Sequence, residues 1–166
     1  VTRTVAEGTA LADGFREVMA GVCTPVAVVT TIAGGLPHGT TVSAFASLSL
    51  APPMVMVALD RGSDLLGRLE VGGPLGLTVL AGGESGLAQV FARKGADKFA
   101  GVPWDLDAGA PRLRGQGGWL GCTVSGLVPG GDHVIVLAEV RRADPGTGTP
   151  LTYHARTFGT HVAAAG

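Results

Sequence analysis

The stretch Gly39 to Ser63, GTTVSAFASLSLAPPMVMVALDRGS, decides how this chain is read. From Val42 to Leu50 apolar and polar residues alternate, which predicts one extended strand. Val42, Ala44, Ala46, Leu48 and Leu50 fall on one face and are expected to join the core. Thr41, Ser43, Phe45, Ser47 and Ser49 fall on the other, so four hydroxyls surround a single aromatic ring. Neutral donors and acceptors beside a flat apolar surface suit a large heteroaromatic ligand with polar edges. A solvent-facing strand rich in Ser and Thr carries the same pattern, so alternation alone assigns no ligand. Pro52-Pro53 interrupts pairing, and Met54 to Leu59 reads as a second, buried strand.

Working outward, Leu11, Phe15, Val18, Met19 and Val22 follow helical spacing, and their stripe is expected to pack on the core. Pro25 stops that helix, and the β-branched run Val26 to Ile32 is a strand. AGGLPHG turns the chain back into the organising stretch. Beyond it, Ser63 or Asp64 is placed to cap a short helix from Leu65 to about Val71. Leu75 to Ala81 is another strand, and Leu87, Val90 and Phe91 mark a further helix. Gly95 to Gln116 reads mostly as loop, a length that is usually functional or mobile. WLGCTVSGLV and HVIVLAEV, separated by Pro129-Gly130-Gly131-Asp132, form a hairpin. A second turn, Asp144 to Thr149, leads to a last short strand, Leu151 to His154. Many strands, frequent turns and two or three short helices predict a mainly β fold, an antiparallel barrel with appended helices.

At 166 residues the chain is expected to be one domain with a core of its own. Only 15% of residues are charged, and the mean hydropathy is positive, which suggests apolar surface hidden in an oligomer. A net charge of -1 gives no electrostatic case for nucleic acid. No apolar run is long enough to span a bilayer, and Val1 to Gly14 lacks a hydrophobic signal core, so a cytoplasmic protein is expected. Cys23 and Cys122 lack metal-site spacing and are expected to be buried free thiols. The histidines, His38, His133, His154 and His161, lie far apart, and no metal site is expected. No dinucleotide-binding G-x-G-x-x-G, no P-loop and no G-x-S-x-G elbow occurs.

Three polar groupings remain. The first is the hydroxyl row. The second is basic and rich in glycine: Arg61-Gly62-Ser63, and Arg93-Lys94-Gly95-Ala96-Asp97-Lys98-Phe99. Cations beside exposed backbone N–H groups can hold a phosphate, although on turns they are commonly just solvated. The third is Gly131-Asp132-His133 with Tyr153-His154 and Arg156. In these blocks the chain resembles the flavin reductase-like family, the small reductase components of two-component flavin-dependent monooxygenases. The resemblance rests on TPVAVVTT (24–31), TVSAFASLSLAPPMVMVALDRGS (41–63), FARKGADKF (91–99), GDHVIVLAEV (131–140) and PLTYHARTFG (150–159).

The resemblance implies a Greek-key split β-barrel that binds FMN or FAD and works as a homodimer. One such domain would occupy residues 1–166, with its core at about 15–160. Position by position, Thr41, Val42, Ser43 and Ala44, with Ser47 and Ser49 nearby, would meet the isoalloxazine. Asp60, Arg61 and Ser63 would line the ribityl and phosphate end, helped by Phe91, Arg93, Lys94 and Gly95. His133, Tyr153 and His154 would stand where the nicotinamide of NADH or NADPH enters. The implied activity is NAD(P)H-dependent reduction of flavin for a separate monooxygenase. Two alternatives share the fold: a flavoprotein that keeps its flavin and acts on another substrate, and a flavin-binding subunit without turnover.

Overall fold

Seven antiparallel strands roll into one sheet whose two outer strands are consecutive in the chain. The structure is a computed structural model and describes residues 5–95 and 97–164. The first half comprises α1 (Val5–Ala20), β1 (Thr24–Pro25), β2 (Ala27–Ala33), β3 (Leu36–Val42), β4 (Phe45–Leu50), β5 (Pro53–Asp60), a 3-10 turn (Leu66–Arg68) and β6 (Pro74–Val79). Then follow α2 (Ser85–Ala92), β7 (Trp104–Asp107), β8 (Ala110–Leu113), β9 (Gly118–Gly130), β10 (His133–Asp144), β11 (Leu151–His154) and β12 (Thr157–Thr160). The large sheet runs β3-β2-β6-β9-β10-β5-β4. Residues Ser43 and Ala44 carry the chain from one edge strand, β3, to the other, β4. There the Ala58 N–H donates to the Ala44 carbonyl (2.8 Å), closing the roll at its corner.

The interior of the roll is filled by alternate residues. Val55, Val57 and Leu59 of β5 point in, as do Val136 and Ala138 of β10 and Leu75 and Leu77 of β6. β2 is buried on both faces: Ala27 and Val29 join that core, while Val26 and Val28 join a second cluster under α2 with Leu80, Ala88, Phe91 and Phe99. A β-branched run without alternation is what a strand covered on both sides requires. The second cluster explains Gly39 on β3: a Cβ there would lie 2.8 Å from the Phe91 ring. Only glycine lets α2 sit that close to the strand.

Four expectations need correction. The organising stretch is not one strand. Alternation continues through the bend at Ser43-Ala44, but the change of partner there reverses which residues face inward, so Phe45 packs on the core. Ala44, Ala46, Leu48 and Leu50 are exposed, Leu50 by 89%. The α1 stripe is also exposed within the chain, Phe15 by 63% and Val18 by 71%. That helix is tied down by the Ala155 N–H donating to the Ala20 carbonyl and by an Arg156–Glu17 ion pair of 2.7 Å. The helix expected at Leu65 to Val71 is only the 3-10 turn, and no side chain caps it. Cys23 is exposed, whereas Cys122 lies in the barrel core, where burial pushes its thiol up to about 11.

The long loop after α2 contains the hairpin β7–β8, turning at Ala108 and Gly109, both with positive φ. It covers one face of the sheet: the Thr30 hydroxyl donates to the Pro111 carbonyl (2.6 Å), and the Arg112 guanidinium lies 5.9 Å from the Trp119 ring centroid. The C-terminal strand is followed by a second, β12, which makes a three-stranded sheet β1-β11-β12. No helix among the described residues is long and apolar enough to cross a membrane.

Candidate functional site

The corner that closes the barrel also opens a groove. Residues 40–44 form one wall, Ala58 to Asp60 of β5 the other, and Ser63 and His133 complete it, around about 240 Å³. Its walls are backbone, small side chains and neutral hydroxyls. The Asp60 carboxylate is engaged through Oδ1, which accepts from the Gly62 N–H (2.6 Å), and the turn is fixed by the Ser63 N–H donating to the Asp60 backbone carbonyl (2.9 Å). A groove with few uncommitted charges and several hydroxyls fits the edge of a flat, polar heterocycle.

His133 opens β10 directly opposite Asp60. Its Nδ1 pairs with Asp132 Oδ1 at 2.7 Å, leaving Nε2 as the nitrogen available to a ligand. The hydrogen bond from His133, reinforced by its charge when protonated, holds the Asp132 carboxyl below the usual carboxylate range. The turn carrying this pair is held from β5. The Arg61 N–H donates to the Asp132 carbonyl (3.0 Å) and Arg61 Nε to the Gly131 carbonyl (2.9 Å). Gly131 has φ +67, a conformation that favours glycine at this tight turn.

The expected site residues divide clearly. Thr41, Val42, Ser43, Ala44, Asp60, Ser63 and His133 line the groove. Thr41 does so chiefly as backbone, because its hydroxyl donates to the Ala88 carbonyl of α2 (2.6 Å). Arg61 faces the Gly131 turn. Ser47 and Ser49 sit on β4 outside the groove, where the Ser49 hydroxyl accepts from the Ala51 N–H (3.3 Å). Phe91 is fully buried and stacks edge-on against Phe99 (4.9 Å), so it acts as core beneath β3. Arg93 and Lys94 are exposed just after α2. Tyr153 and His154 lie on the small sheet, where Tyr153 packs on Phe158 (5.2 Å), and neither lines the groove within one chain.

A second, larger cavity of about 600 Å³ is lined by the preceding residues of β3. It begins at Gly39 and Asp64, the residues next in sequence to Thr40 and Ser63 of the groove, and reaches Lys98, Phe99 and Trp104. Sequence reasoning did not connect His38, Asp64 or Trp104 to any site. The available signal was the basic FARKGADKF block, of which Gly95, expected at the phosphate end of the flavin, stands in the wall of this cavity with Asp97, Lys98 and Phe99 and not in the groove.

Comparison with known proteins identifies the family. Residues 19–161 match the flavin reductase like domain. The reductase component of a 4-nitrophenol 4-monooxygenase/4-nitrocatechol 2-monooxygenase from Rhodococcus opacus is 37% identical over 89% of this chain and 80% of that protein. An NADH:riboflavin 5'-phosphate oxidoreductase from Streptomyces pristinaespiralis is 35% identical over 89% of this chain and 87% of that one. Among solved structures, the NADH:FAD oxidoreductase of Streptomyces globisporus C-1027, in complex with NAD and FAD fragments, superposes with a TM-score of 0.86. It is 31% identical, covering 93% of this chain and 95% of that one. The chain belongs to the flavin reductase-like family, and its rolled sheet is that family's split barrel.

Proposed function

We propose that this protein is an NAD(P)H-dependent flavin reductase whose reduced product serves a separate monooxygenase. The observation that carries this reading is the corner groove, which sets a neutral, hydroxyl-lined slot beside a histidine held by Asp132. The flavin supplies the electron-accepting ring: a hydride leaves nicotinamide C4 with its electron pair for flavin N5, and the nicotinamide becomes NAD(P)⁺. The chain's own work is placement. Residues 40–44 support one edge of the ring, with Ser43 and Ser63 offering hydrogen bonds to its polar atoms. Donors fixed before the reaction stabilise negative charge gained by the ring without having to reorganise. His133 Nε2 positions the incoming nicotinamide over that ring, a matter of proximity and orientation that needs no acid–base pair.

The homodimer implied by the family is part of this proposal. The exposed face of α1 (Leu11, Phe15, Val18, Met19) and the outward residues Leu48 and Leu50 of β4 supply apolar surface for a second copy. In that arrangement Tyr153 and His154 serve the groove of the neighbouring subunit.

NADH oxidation under air, with and without added FMN or FAD, tests the activity. Turnover should scale with free flavin. No flavin-dependent turnover with either nicotinamide would refute it. Ser43→Leu, which fills the slot, should raise the flavin KM in a folded protein. An unchanged KM would remove the corner from the site.

A further inference from the structure

We infer that a third cavity, under the β7–β8 hairpin, binds a short-chain carboxylate at a site separate from the flavin groove. The cavity, of about 510 Å³, lies between the hairpin and the face of the large sheet formed by β6, β9 and the end of β10. Among the described residues it shares none of its lining with the groove at Ser43, so the inference does not depend on the flavin reductase reading.

Two polar groups in its wall lack partners. Thr78 of β6 and Trp119 of β9 stand opposite each other in register and are 3% and 1% exposed. Neither the Thr78 hydroxyl nor Trp119 Nε1 has a hydrogen-bond partner among the described residues. Buried polar groups are paired in folded proteins, with protein, water or ligand, and the neighbours decide which partner fits. The guanidinium of Arg112, 5.9 Å from the Trp119 ring centroid, bonds Asp107 and Asp144 through Nη1 alone, so its Nε and Nη2 groups are uncommitted. Arg142 reaches the same two carboxylates through Nη1 (3.4 Å) and Nε (3.0 Å), leaving Nη2. Arg114 and Asp105, by contrast, close on each other through bonds of 2.8 and 2.7 Å.

Each aspartate is thus already answered by an arginine. The groups left over are the indole N–H, the Thr78 hydroxyl and guanidinium N–H groups, a set dominated by donors. They suit a ligand with two acceptor oxygens, one for the Thr78–Trp119 pair and one for Arg112. A carboxylate supplies both, in the charge-assisted form that a guanidinium favours. Leu106, on the hairpin, lines the same cavity and is 66% exposed, which offers contact to a short apolar chain. One trapped water takes only about 30 Å³, whereas a cavity of this size falls within the roughly 300–1,000 Å³ of ligand sites.

Proton–nitrogen NMR of the isotope-labelled full chain tests the inference. The two indole N–H signals come from Trp104 and Trp119, and Trp104→Phe assigns them. Butyrate should shift the Trp119 signal saturably and leave that of Trp104 in place. It should bind roughly tenfold more tightly than acetate, which has two methylenes fewer to bury. Butanol, without the carboxylate, should give no saturable shift. Thr78→Val, nearly isosteric, should weaken butyrate roughly fivefold through loss of one hydrogen bond. Arg112→Gln should weaken it further, but Arg112 also braces the hairpin, so Thr78→Val is the decisive variant. Saturating FMN should leave butyrate affinity unchanged. A Trp119 signal that butyrate does not move would overturn the inference and leave bound water as the partner of both groups. Parallel shifts of the two indoles, butanol binding as tightly as butyrate, or a Thr78→Val affinity within twofold of wild type would also overturn it. Competition by FMN would do the same, by making the cavity part of the flavin site. The reductase reading stands or falls separately, on flavin-dependent NADH oxidation.

Discussion

Arg61 offers a sharp test, because family resemblance and geometry give it different tasks. Resemblance puts it at the flavin phosphate, whereas its Nε donates to the Gly131 carbonyl on the turn that carries His133. In Arg61→Ala that side-chain bond is lost, but the residue-61 N–H still holds the Asp132 carbonyl, so the turn keeps part of its anchorage. One charge-assisted hydrogen bond at an exposed site contributes about 1 kcal/mol net, or roughly fivefold in kcat/KM. The loss should appear in the nicotinamide: the NADH KM rises about fivefold while the flavin KM stays within about twofold, by the same arithmetic. Steady-state NADH oxidation, varying each substrate at saturating levels of the other, measures both. If Arg61 acts through His133, the double variant with His133→Ala should be no worse toward NADH than His133→Ala alone. A flavin KM that rises alone, or two substitutions whose effects multiply, would refute the positioning role and return Arg61 to the phosphate.

Other expectations follow from the packing and the charges. Gly39→Ala drives a methyl into the Phe91 ring and should cost about 1–3 kcal/mol of stability, read as a lowered urea midpoint. A destabilisation too small to detect would show that α2 is free to shift. Of the two cysteines, exposed Cys23 should react quickly with a thiol reagent, and Cys122, with its raised pKa, only on unfolding; two fast thiols would contradict the buried assignment. Hydrogen bonds first from Arg142 and then from Arg112 depress the Asp144 carboxyl. Its stabilising contribution is therefore present above the unfolded carboxylate pKa and lost as pH falls below about 4. Asp144→Asn should flatten that acid limb in a pH series of melting temperatures, and an unchanged limb would refute the assignment. In the proposed homodimer, Phe15→Asp should convert the wild-type dimer to monomers in sedimentation while leaving the monomer folded, because the ring is exposed within one chain; a monomeric wild type would refute the dimer, and an unaltered dimer would place the interface elsewhere.

The fold was legible where period and turn chemistry agreed. β2, β5 and the β9–β10 hairpin stand where β-branched runs and the Gly130-Gly131-Asp132 turn put them. It was not legible at Ser43-Ala44, because a strand can keep its polar–apolar alternation through a corner while its partners, and so its inward side, change. The α1 stripe misled for a different reason: spacing identifies an amphipathic helix but not whose core its face covers. The β7–β8 hairpin was hidden because Asp107-Ala108-Gly109 is a weaker turn signal than Asn-Gly, and each strand is only four residues long. At the site, it was the family resemblance that singled out Thr41 to Ala44, Asp60, Ser63 and His133, which the fold gathers around one groove, but no periodicity shows that the Thr41 hydroxyl turns to α2 or that Arg61 reaches across to the Gly131 turn.

The corner at Ser43-Ala44 has a kinetic consequence. One wall of the groove is the end of edge strand β3 with its corner and the other is β5, next to the opposite edge, so an occupant bridges the seam between the two ends of the sheet, where the corner is held to β5 by the Ala58–Ala44 hydrogen bond. In the proposed site a bound flavin would act there as a clasp, raising the free energy of parting the seam by an amount that grows with its concentration over Kd. The reverse also holds: local parting of the seam lets the ligand out. Hydrogen exchange at the Ala58 amide should slow as flavin is added, and the same breathing motion would set how fast the reduced product is handed on.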